Sequence, residues 1–169
     1  MVIKTWEIDR ADGEYRFNYT EELSHLANEQ QQVIDISPVT VWGSIIKVDD
    51  FYSVTGRVKV EVTYDCSRCL KRFTCQEEGS FQEIFLDEKE AESLDDSQSY
   101  AIIEDNLIRL KPLVEEAVAM LIPYIPLCAE DCKGLCVSCG INLNEETCEC
   151  THERIDPRLA GLADWFNQE

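Results

Sequence analysis

The chain is 169 residues long, 44% of them hydrophobic, with a formal net charge of −19 from 34 acidic and 15 basic residues. That length suits one ordinary domain, or one domain with a small metal module, and the hydrophobic fraction excludes wholesale disorder. Acidity on this scale repels nucleic acid unless basic residues are gathered locally; it attracts basic proteins and, at the least, keeps a chain soluble.

Val2–Ile8 and Glu14–Tyr19 read as two short strands around the turn Ala11-Asp12-Gly13. Met1–Asp9 lacks the apolar run of a signal peptide. Thr20 is placed to cap a short helix over Glu21–Asn28, with Glu21 and Glu22 in its first turn. His25 stands alone there and is given no role. From Val33 to Phe85 the pattern is β. Val39–Val48 is rich in β-branched residues, and Asp49-Asp50 marks a turn. In Ser53–Tyr64 one parity carries Val54, Val58, Val60, Val62 and Tyr64, and the other carries Arg57, Lys59 and Glu61. That alternation describes a half-buried antiparallel strand with a charged outer face. Phe73–Phe85 is a second long strand, or a bulged one, because Gly79 interrupts it.

Residues 87–100 form a polar, acidic loop; Glu83–Asp105 holds nine acidic residues and one lysine. Ala101–Ile103 and Leu107–Leu110 suit a further hairpin or strand. Leu110, Leu113, Val114, Ala117, Val118 and Leu121 recur at helical spacing, with Pro112 in the first turn and Pro123 as the stop, so a core helix is expected at about 110–122. The longest apolar run, Ala117–Ile122, is far too short to cross a bilayer, which points to a soluble, cytoplasmic protein. The tail Ile155–Phe166 reads as a short amphipathic helix, with Asp156 as N-cap and Pro157 as its first residue.

Six of the nine cysteines lie between Cys128 and Cys150. In Cys136-Val-Ser-Cys139-Gly140 two thiolates separated by two residues can share one ion, and the glycine lets the backbone turn beneath it. Cys148 and Cys150 close a four-thiolate site across a hairpin that turns near Asn142–Asn144. Eight cysteines fall into four pairs, which makes two four-cysteine sites. The other site joins Cys66 and Cys69, at the end of the long hairpin, to Cys128 and Cys132. Two alternatives stand beside this: a single site drawn from the C-terminal six cysteines with Cys66 and Cys69 as free thiols, and His152 in place of Cys148. Cys75 reads as a small, half-buried side chain. Structural zinc is the expected cofactor, because sites made of four cysteines are closed. The fold class expected is α+β: an antiparallel β-rich part with its helix over 1–125, then a zinc-binding module and tail helix over 126–169.

Three segments resemble the YceD family of bacterial and plastid proteins, named for large ribosomal RNA subunit accumulation. They are the run from Leu127 to Asn144, the run Tyr64-Asp65-Cys66-Ser67-Arg68-Cys69-Leu70, and the tail Ile155-Asp156-Pro157-Arg158-Leu159-Ala160. The resemblance implies a factor needed for normal levels of large-subunit ribosomal RNA, whose gene often neighbours that of a small protein of the large ribosomal subunit.

Catalytic wiring is sparse. Two histidines leave little for acid–base chemistry, and no phosphate-binding, dinucleotide, metalloprotease or nucleophile-elbow motif is present. A non-enzymatic binding protein is expected, its partner a basic ribosomal protein or an assembling large subunit. Direct RNA contact through Arg57, Lys59, Arg68, Lys71 and Arg72 is one alternative. Thiol redox chemistry at a C-x-x-C pair is another, though such pairs usually accompany a βαβ unit rather than a β-hairpin.

Overall fold

The computed structural model describes residues 1–11, 13–29, 32–88 and 100–150. The fold is built on one long hairpin, β5 (Phe51–Asp65) and β6 (Arg72–Leu86). The two strands pair without a break from Phe51↔Leu86 to Asp65↔Arg72. β-Branched residues at every second position of β5 explain its straight run, and the parity read from sequence is the buried one. Val54, Val58 and Val62 are fully buried, and Val60 and Tyr64 nearly so. Arg57 and Glu61 face solvent and Lys59 is half-buried on the same outer parity.

β4 (Val39–Val48) pairs along β5 after the turn at Asp49, whose φ is +50°. β2 (Tyr15–Glu21) lies outside β4, and β3 (Val33–Ile36) continues β4's side of the sheet along the end of β5. Between β3 and β4 stands Pro38, which has no N–H to give. There the Ser37 hydroxyl accepts from the Glu61 N–H at 2.9 Å and the Ser37 N–H donates to the Glu61 carbonyl at 2.9 Å. β7 (Ala101–Ile102) adds to β6 in parallel, and β8 (Leu107–Arg109) forms a separate two-stranded sheet with β1 (Val2–Lys4). The helix α2 (Lys111–Leu121) has a proline in its first turn and stops before Pro123. It packs Val114, Ala117 and Val118 against β5 and β6.

Four local expectations change. Val2–Ile8 is not one strand: only Val2–Lys4 is extended, and Thr5–Arg10 forms the helix α1. Thr5 and Ile8, three apart, bury on the same side of that helix, and the Thr5 N–H donates to the Asn106 carbonyl at 3.0 Å. β1 therefore pairs with β8 rather than with β2. Thr20 caps no helix, because it and Glu21 stay in the β2 ladder opposite Thr40 and Val39. The helical turn begins later, as a 3₁₀ helix over Ser24–Glu29 with Leu23 and Leu26 buried at a spacing of three. Gly79 makes no bulge. It pairs in register with Val58, and a Cβ there would stand 2.9 Å from Leu121 Cδ2, so the glycine lets α2 approach the sheet. Residues 101–110 split into β7 and β8, which pair with different partners; only Glu104↔Leu107 bridges between them, around Asp105 and Asn106 at positive φ. His25 sits over α2, with Nε2 3.2 Å from Glu115 Oε1. The acidic loop beyond Glu88 up to residue 99, His152 and the tail helix lie outside the described residues.

Gly43 pairs directly with Gly56 at the centre of the sheet. A Cβ on Gly43 would strike the Thr55 carbonyl oxygen, and would lie 2.6 Å from Gly56 Cα and 2.7 Å from the Phe17 ring. Two of these atoms are backbone and cannot turn aside. Gly43→Ala is therefore expected to cost about 3 kcal/mol, at the upper end of overpacking effects. Gly56→Ala should cost less, because what it meets is the Phe81 ring. Urea midpoints of the two variants check the order.

Candidate metal centres

The tip of the β5–β6 hairpin and the segment after α2 hold two groups of four cysteines. Within each group all four sulfurs lie within 4.8 Å of one another: Cys66, Cys69, Cys128 and Cys132 in the first, and Cys136, Cys139, Cys148 and Cys150 in the second. All eight are free thiols.

The two C-x-x-C loops share one backbone design. In the first, the Leu70 N–H donates to the Cys66 carbonyl at 2.9 Å and the Cys66 N–H to the Lys71 carbonyl at 3.0 Å. In the second, the Gly140 N–H donates to the Cys136 carbonyl at 2.8 Å and the Cys136 N–H to the Ile141 carbonyl at 2.8 Å. Each loop then leaves through a left-handed residue: Gly140 has φ +77° and Leu70 has φ +59°. Glycine takes that conformation freely, whereas a leucine there costs roughly 1–2 kcal/mol.

The first group joins distant parts of the chain. Cys66 and Cys132 sulfurs are 3.7 Å apart, and those of Cys69 and Cys128 are 3.5 Å apart. The Ser67 N–H donates to the Pro126 carbonyl at 2.9 Å, and the Leu135 N–H to the Arg68 carbonyl at 3.2 Å. Arg68 Nη1 in turn donates to the Cys132 carbonyl at 2.8 Å. The second group is local. One bridge, Leu135↔Asn142, forms its hairpin, and the turn follows Asn142. Asn144 links the two groups: its Nδ2 donates to Cys132 Sγ at 3.4 Å, and its Oδ1 accepts from the Lys133 N–H at 2.8 Å.

The donor sets fit one divalent ion each. Four thiolates about 2.3 Å from a tetrahedral ion stand about 3.8 Å from one another, close to the separations seen in the first group, and far from the roughly 2 Å of a disulfide. Sulfurs this close leave room for one ion and not for a polynuclear cluster. The electrostatics point the same way. Burial pushes the Cys66 thiol up, but the N–H groups of Cys128, Cys69 and Arg68 outweigh it and bring it down to about 6. The N–H groups of Cys139 and Ser138, 3.5 and 3.4 Å from Cys136 Sγ, bring that thiol down to about 6. Their companions move the other way. Cys128 is pushed up to about 12, first by its bond with Cys69, and Cys150 up to about 12, first by its bond with Cys139. Ionisation of Cys66 or Cys136 thus holds the proton on Cys128 or Cys150, because like charges this close cannot all form without a cation among them. A divalent ion supplies that charge and displaces the protons.

Cys75 stays apart, half-buried on β6. The five basic residues near the hairpin do not form one free patch. Arg72 Nε pairs with Asp65 at 3.1 Å, Lys71 Nζ lies 3.6 Å from Glu145, and Arg68 is used on Cys132. Arg57 and Lys59 remain on the outer sheet face, with Lys59 opposite Glu78. The Asn144 contacts and the left-handed backbone of Leu70 were missed from sequence. Aligning Cys66–Lys71 on Cys136–Ile141 would have exposed Leu70, since it stands where the other loop has glycine.

A sequence profile described as large ribosomal RNA subunit accumulation protein YceD matches residues 54–165, which takes in both cysteine groups. An uncharacterised protein of Mycobacterium bovis is 30% identical over 118 residues, 69% of this chain and 56% of its own length. The chain thus spans little more than half of that relative. YlbN of Bacillus subtilis, also uncharacterised, is 29% identical over 156 residues, covering 92% of this chain and 90% of its own length. A chloroplastic protein of Arabidopsis thaliana, named large ribosomal RNA subunit accumulation protein YCED homolog 1, is 26% identical over 162 residues, 79% of this chain and 50% of its own length. No solved structure matches the chain.

Proposed function

Since the chain belongs to the YceD family of large ribosomal RNA subunit accumulation proteins, we propose that it is a non-enzymatic factor of ribosome biogenesis that supports large-subunit RNA by holding a basic ribosomal protein, or an assembling large subunit, in the cytoplasm. The observation that carries this reading is the profile match, which gives the process. The charge favours a basic partner. A chain at −19 meets a phosphate-coated particle best through a protein whose lysines and arginines are exposed before they find RNA. Zinc in the two four-cysteine groups deepens that acidity, because two positive charges set against four thiolates leave −2 per site. Zinc held there would be structural, because four cysteines would supply all of its ligands and leave no position open for a substrate. Among the described residues no helix is long and apolar enough to cross a membrane.

The test is genetic and quantitative. Cells lacking the gene should show a lowered ratio of large- to small-subunit ribosomal RNA, restored by the wild-type chain and not by one lacking Cys66 and Cys136 together. An unchanged ratio under fast growth would remove the proposed role.

A further inference from the structure

Leu70 is the least economical residue at the hairpin tip. It holds a left-handed backbone conformation at φ +59°, where the matching loop has Gly140, yet its side chain is 67% exposed and packs into neither apolar cluster. Backbone strain of this kind clusters at functional sites, and here no packing within the chain offsets it. Other apolar side chains stand free at the same cysteine-rich end: Tyr124 at 92%, Ile125 at 60% and Val137 at 90% exposure. The Ser67–Pro126 bond seats the hairpin tip directly on the Tyr124–Pro126 linker. The charge around them is mainly negative. Lys71 and Arg72 are matched by Glu145 and Asp65, and against the one exposed lysine left over, Lys133, stand Glu130, Asp131, Glu146 and Glu149, which are exposed and have no cationic partner among the described residues.

We infer that Leu70, with Tyr124 and Ile125 beside the hairpin tip, is the apolar anchor of a docking surface for an extended basic segment carrying an apolar side chain among its lysines and arginines. This rests on the proposed reading of a basic protein partner and names the surface that receives it. The unpaired carboxylates draw the segment in and set its salt dependence, while the apolar residues hold it. An all-basic tail lacks the second half of that recognition, and RNA lacks the first.

The experiment uses the full metal-loaded chain and two labelled synthetic peptides, one alternating lysine with leucine and the other alternating lysine with serine. Fluorescence anisotropy should show the wild type binding the lysine–leucine peptide about tenfold more tightly, the scale of one buried leucine. Leu70→Gly should lose that preference and keep the weaker, salt-sensitive binding of the lysine–serine peptide. Leu70→Met should retain the preference. The glycine variant should also keep its metal content and melt no lower than wild type, because the strain is relieved. If the wild type binds both peptides and Leu70→Gly changes neither, Leu70 is not the anchor, although the basic-partner reading survives. A wild type that binds neither peptide overturns both. A glycine variant that melts well below wild type would make Leu70 a structural residue and overturn the inference.

Discussion

Stripping the purified protein with a strong chelator at neutral pH is expected to release two zinc ions per chain and to unfold residues 124–150 while the sheet persists. That segment has no core of its own. The small apolar cluster at the hairpin tip consists of Cys66, Cys69 and Cys132, with Phe73, Leu127, Cys128 and Leu135 packed around them, so most of its buried groups are the ligands themselves. Its only strand-like pairing among the described residues is Leu135↔Asn142. Fixing a residue's backbone costs about 1–2 kcal/mol, and a segment this poor in burial cannot offset that by packing. A structural zinc supplies roughly 10–16 kcal/mol of apparent binding energy, which can. The large cluster built on Val39, Val54, Val58, Ile108 and Val114 involves no metal and should remain folded. Metal analysis gives the count, and hydrogen exchange gives the extent. One ion per chain would leave a single centre. Protection of 124–150 unchanged in metal-free, fully reduced protein would show that the cysteines do not organise the segment.

Losing one centre should not resemble losing the other. Cys66→Ser removes a fully buried sulfur that ties the hairpin tip to Cys128 and Cys132, more than sixty residues away. Its loss should detach all of 124–150, fray the end of β5 and β6, and lower stability by about 4 kcal/mol or more, as expected when a structural ion goes. Cys139→Ser removes an exposed sulfur from a local hairpin and should free only 136–150, leaving one zinc bound. Cys75→Ser, half-buried and outside both groups, should stay within about 1 kcal/mol of wild type. Exchange rates at Val62–Cys75 separate the cases: fast in Cys66→Ser, slow in the other two.

Legibility followed distance along the chain. The alternation of Ser53–Tyr64 and the helical spacing of Leu110–Leu121 are periods within one element, so the buried face of each could be read directly. The four cysteine pairs could be read because each sits within a few residues, whereas the meeting of Cys66 and Cys69 with Cys128 and Cys132 stood beside a single-site alternative until the fold brought the four sulfurs together. The failures were of another kind. Val2–Ile8 was read as a strand because Val2 and Ile3 favour one, but its pairing partner lies about a hundred residues on and takes only three residues, leaving Thr5 to begin a helix. Gly79 looked like a fault in β6 because its reason, Leu121, belongs to α2. Thr20 looked like a cap because the ladder that claims it runs to β4. Asn144 carries no sequence signal for Cys132, since its amide reaches that sulfur only once the hairpin has closed.

A basic protein partner is tested most directly by a binding titration of the full chain against purified basic large-subunit ribosomal proteins and, separately, against protein-free large-subunit RNA, at low and moderate salt. Binding to at least one basic protein is expected, weakening as salt rises, since exposed charge pairs are screened over about 10 Å at roughly 0.1 M. Association should slow when Asp87, Glu88, Glu90, Glu92, Asp95 and Asp96 are neutralised together, and the RNA alone should bind poorly. Tight binding of protein-free RNA, lost when Arg57, Lys59, Arg68, Lys71 and Arg72 are replaced and accompanied by no affinity for the proteins, would contradict a basic protein partner.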